Sequence, residues 1–101
     1  MADGDQTSEE ELRDALERIS VGDLLMQMLT GIVSLGFHKV SSETRDLPQT
    51  KLAIESLRAL EPTLRDGGVD ESLVRDLEQA RMNLQLAYAK AVEESQRSPE
   101  P

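Results

Sequence analysis

Between Val21 and Phe37 the chain carries ten large apolar side chains and one charge, Asp23. Read as a helix at about 100° per residue, Val21, Leu24, Leu25, Met26, Met28, Leu29, Ile32, Val33, Leu35 and Phe37 sweep an apolar arc of roughly 220°, leaving Asp23, Gln27, Thr30 and Ser34 as a polar strip. A surface helix needs a stripe of only ~100°. The segment therefore demands cover on two sides. Ser20 and Asp23 make a capping box that starts this helix at Val21, and Gly36 reads as its left-handed C′ residue, giving a first core helix over 21–36. The connector HKVSSETR (38–45) follows with no sustained period.

Two further helices have the faces to cover part of it. Asp46 with Gln49 is a capping box, and Pro48 sits in the first turn, where a missing N–H costs nothing. The second core helix is expected over 47–61, with Ala53, Ile54, Leu57 and Leu60 on one stripe, Leu64 just past its end, and a stop at Pro62. Asp66, Gly67 and Gly68 supply a turn. Asp70 then caps a third core helix, expected over 70–94, with Val69 and Val74 at staple positions. Its Leu73, Leu77, Ala80, Leu84, Ala87 and Ala91 recur at alternating spacings of 4 and 3, a seam for a neighbouring helix. Ser8 with Glu11 opens a short N-terminal helix over 9–19, whose stripe is Leu12, Ala15, Leu16 and Ile19. No run alternates with period two, so the fold class is all-α, a three-helix core with a short N-terminal helix in one domain over 9–94. Residues 1–8 and 95–101 are polar enough to be disordered tails.

Charge and residue inventory narrow the chemistry. Twenty Asp and Glu against eleven Lys and Arg give a net charge of −9. That repels a phosphate backbone, so no direct nucleic-acid contact is expected. Residues 1–18 alone carry seven acids and two bases. With no cysteine and one histidine, thiolate zinc sites, a cysteine nucleophile and any imidazole pair are excluded. His38 lies on the connector with no aligned acid or nucleophile. The segment from Asp66 to Asp70 lacks the spacing of a calcium loop, and Gly22, Gly31 and Gly36 do not form a phosphate-cradling glycine motif. Glu9, Glu10, Glu11, Glu93 and Glu94 read as solvated charge near the ends, and Tyr88 as an edge-of-core ring. No enzyme, metal or cofactor is expected. The acidic N-terminus is no secretory signal, and the uncharged run from Leu24 to Phe37 falls short of the ~20 residues of a membrane span. A cytoplasmic location follows as the expectation.

With the helix order established, SVGDLLMQMLTGIVSLGF (20–37), DLPQTKLAIESLRALEPTL (46–64) and LVRDLEQARMNLQLAYAKA (73–91) together resemble a small bacterial all-helical domain family of unknown function. The resemblance is carried chiefly by the apolar first core helix, by KLAIESL (51–57) and by NLQLAY (83–88). It implies an all-helical cytoplasmic protein and brings no catalytic or binding residue. The connector departs from the family pattern, which has proline and glycine where HKVSSETR has neither.

These readings combine into one expectation. The second and third core helices shield one side of the first, and a second copy of the chain shields the rest through Leu25, Met26, Met28, Leu29, Ile32, Val33 and Leu35. The chain is then a non-enzymatic interaction or regulatory protein forming a helical homodimer. The alternative is an acidic adaptor whose apolar helix takes a basic partner protein or a lipid surface.

Overall fold

The computed structural model describes the backbone of residues 2–97 and the side chains of residues 8–97. Four helices follow in order: α1 (Ala2–Arg18), α2 (Val21–Val40), α3 (Leu47–Asp66) and α4 (Glu71–Arg97). Helices α2, α3 and α4 pack against one another, and α1 touches none of them. The core is Leu29 and Val40 of α2, Ala53, Ile54, Leu57 and Leu64 of α3, and Val74, Leu77, Leu84 and Ala91 of α4. These are the stripes expected from the spacing. Among the described residues there is no strand.

The three core helices start where side-chain oxygens wait for free amides. The Ser20 hydroxyl accepts from Asp23 N at 2.9 Å, and the Asp46 carboxylate from Gln49 N at 3.2 Å. The Asp70 carboxylate accepts from both the backbone N–H and the hydroxyl of Ser72. Each satisfies a donor that the helix itself leaves unpaired.

The helix ends differ from expectation, each for an identifiable reason. α2 runs through Gly36 to Val40 because carbonyls 38–40 find partners without a glycine. His38 O accepts from the Ser41 and Thr44 hydroxyls, Lys39 O from Asp46 N at 2.7 Å, and Val40 O from Arg45 Nε at 3.2 Å. Gly36 is a contact residue: a Cβ there would lie 2.7 Å from Leu84 Cδ2 and 3.3 Å from Ala53 Cβ, so α2, α3 and α4 converge on its missing side chain.

α3 continues through Pro62 to Asp66. The proline removes one hydrogen bond. Beyond it Leu64 is fully buried, and the Glu61 carboxylate, itself buried, accepts from Arg81 Nε at 2.7 Å. Those anchors outweigh the lost bond. The helix ends in a Schellman motif: Gly68 adopts φ +80°, Gly68 N donates to Arg65 O, and Val69 N donates to Leu64 O.

At the termini, α1 begins at Ala2, so Ser8 lies inside a helix and does not cap one, and residues 2–8 are helical where a tail was expected. α4 begins at Glu71 and reaches Arg97, making 95–97 helical as well. Met1 and residues 98–101 of the expected tails lie outside the described residues.

Candidate interaction surface

α2 presents two seams about 120° apart on its circumference. The inner one, through Leu29, Val33, Gly36 and Val40, meets α3 and α4. The outer one, through Val21, Leu24, Met28, Gly31 and Leu35, repeats at spacings of 3, 4, 3 and 4 and stays largely exposed. Val21 is 74% exposed, Met28 56% and Leu35 53%, while Leu29 on the inner seam is 1% exposed. Gly31 belongs to the outer seam, and no atom lies within 4 Å of where its Cβ would stand. A glycine in mid-helix costs roughly 0.5–1 kcal/mol relative to alanine. Within one chain nothing offsets that.

The seven residues expected at an interface separate accordingly. Met28 and Leu35 are open, and Leu25 and Ile32 are half-buried at the margin of the outer seam. Met26 and Val33 turn the other way, into a shallow groove against Leu73, Leu77 and Ala80 of α4. Leu29 belongs to the chain's own core and is withdrawn from the accessible set. Val21 and Leu24, outside that expected set, lie on the same open strip. Their heptad-like spacing with Met28 and Leu35 was the signal that identifies them.

Around this strip two other features line up. Between α2 and α3 a groove of about 160 Å³ is lined by Ile32, Leu35 and Leu52, with Lys39 at its rim. Leu52 itself is exposed. Leu12 and Leu16 of α1 and Ile19 just past its end are all exposed, and no part of the core covers them.

The polar side chains build scaffolding. The Arg65 guanidinium reaches Glu71 at 3.2 Å and Glu78 at 2.5 Å, tying the end of α3 to the start of α4. That hydrogen bond holds the Glu78 carboxyl below its ordinary value, and the bonds from Ser72 do the same for Asp70. Arg45 pairs with Glu94 at 3.2 Å, pinning the α2–α3 connector to α4. His38 is exposed. Among the described residues no group of three or more His, Asp or Glu is placed to hold a metal ion.

α2 is by length and composition long and apolar enough to cross a membrane, 20 residues with a mean hydropathy of 1.2. The fourteen-residue uncharged run gave the opposite expectation because it stopped at Asp23 and His38, which the full helix includes. Length thus gives no ground against a span. What the helix does here is pack Leu29, Gly36 and Val40 against α3 and α4, as a core helix does.

No known protein family, curated protein or solved structure matches the chain. It is an all-helical small protein in which three helices form the core and the first stands apart.

Proposed function

We propose that this chain is a non-enzymatic interaction protein of the cytoplasm that works as a helical homo-oligomer, joined through the outer seam of α2. The observation that carries the reading is that Val21, Leu24, Met28 and Leu35 stay exposed after α3 and α4 have packed on α2. An apolar strip at heptad spacing is the self-complementary surface that a two-fold dimer uses.

Light scattering across a concentration series tests the reading. The expected mass is twice the 11.2 kDa of the chain. Met28→Asp, on the exposed side, should return it to the single-chain mass with helicity unchanged, because a carboxylate buried in a dry interface without a partner is costly. A wild-type mass of 11.2 kDa at every concentration refutes self-association.

The net charge of −9 favours a second reading, an acidic adaptor for a basic partner. Under it, a lysine-rich amphipathic peptide binds the wild-type chain in low salt and is released as salt rises. Binding that is indifferent to salt counts against that reading.

A further inference from the structure

From the orphaned state of α1 we infer that the occupant of the α2 outer seam is the α1 helix of a second copy, so that the two chains exchange N-terminal arms. The inference rests on the self-association reading and specifies its contact.

Three observations converge on that occupant. The first is the state of α1. It is 17 residues long and, among the described residues, touches no other helix of its own chain, and the apolar side chains Leu12 and Leu16, with Ile19 just past its end, are exposed. Isolated helices of about 12–15 residues or fewer are marginal in water, and one only slightly longer gains its order chiefly by docking an apolar face. Its own α2 is not that dock. Ser20 is extended (φ −88°, ψ 150°) and sends α1 away from the core. The chain consequently spans 68 Å with a radius of gyration of 19.0 Å, against about 13 Å for a compact chain of this size.

The second is area. The exposed outer-seam residues of α2 present on the order of 400 Å² of surface, half of the ~800 Å² that each partner of a stable complex buries. Adding Leu12, Leu16 and Ile19 of the arm, with Leu52 beside the α2–α3 groove, brings the total to roughly 800 Å². Arm exchange offers more apolar surface for burial than a pairing of α2 on α2 that leaves the arms out.

The third is charge. The outer seam of α2 contains no acid, its one carboxylate, Asp23, lying on the polar strip, and Lys39 stands at its C-terminal end. The arm brings Glu9, Glu10, Glu11, Asp14 and Glu17. An acidic helix meets no carboxylate on the seam itself and finds a cation near its end. Gly31, open at the middle of the seam, lets a crossing backbone approach closely.

The test uses the full chain with Leu12→Asp and Leu16→Asp combined. Neither side chain touches the core, so circular dichroism and thermal melting of the α2–α4 unit should be nearly unchanged. The dimer dissociation constant is expected to rise by at least on the order of a hundredfold. In parallel, hydrogen exchange of the α1 amides in wild-type protein should slow by roughly tenfold or more as concentration rises through dimer formation, and Met28→Asp should abolish that slowing. A double variant as dimeric as wild type, with α1 amides that exchange freely at all concentrations, overturns arm exchange and leaves the α2 seam reading standing. A wild-type chain that is monomeric throughout overturns both.

Discussion

At the residue scale, two positions bear loads that their neighbours do not. Gly36 lies where three helices meet, and a methyl group there would press on Leu84, which is itself fully buried and has nowhere to turn. Gly36→Ala is expected to destabilise the fold by about 1–3 kcal/mol, measured by urea denaturation, even though alanine is the better helix former. Arg81 is the second. Its guanidinium bonds Glu61 at 2.7 Å and also reaches Gln85, and the Glu61 side chain is 5% exposed. Removing the cation leaves a buried carboxylate unpaired, so Arg81→Met should cost about 3–5 kcal/mol in the same assay, and Arg81→Met with Glu61→Leu should recover most of it.

At the element scale, the starts of the three core helices were legible, whereas the start of α1 and the helix ends were not. Ser20, Asp46 and Asp70 are local signals, each read within three residues, and the structure uses all three as caps. Gly36 and Pro62 are local signals too, yet both were overridden. Gly36 is consumed by a contact with Leu84, 48 positions away in the chain, and Pro62 is carried by the burial of Leu64 and the pairing of Glu61 with Arg81. The connector after α2 ends its helix with a set of Ser, Thr, Asp and Arg donors that no single-residue rule reveals. That α3 and α4 would leave part of the α2 arc exposed was legible in kind, through the width of the apolar arc. Which side of that arc stays open depends on where α3 and α4 land, so Leu29 is buried in the chain's own core while Val21 and Leu24, outside the expected set, are exposed. The α3–α4 junction also sets the acid response. Asp70 and Glu78 have folded-state values below their unfolded ones, so the stability they add is complete above the ordinary carboxylate range near 4 and fades as pH falls through the lowered folded values. Thermal melting should drop below about pH 4, and Glu78→Gln should flatten part of that drop.

At the scale of the whole molecule, charge and shape oppose each other in a measurable way. Two copies at −9 each repel, while the surfaces proposed to join them are apolar. Added salt screens the repulsion and leaves apolar burial intact, so dimer affinity should rise between low and physiological ionic strength. Sedimentation at two salt concentrations checks this. An affinity that falls with salt would mean that ion pairs, not the apolar strip, hold the copies together.

The order of the helices adds a temporal cost to the double-sided α2. Because it is made before α3 and α4, its inner flank is not fully covered until Ala91, the final core residue of α4, leaves the ribosome. At translation speeds of about 5–20 residues per second that interval is roughly 3–10 s. Until then a nascent chain displays apolar side chains on both flanks of one helix.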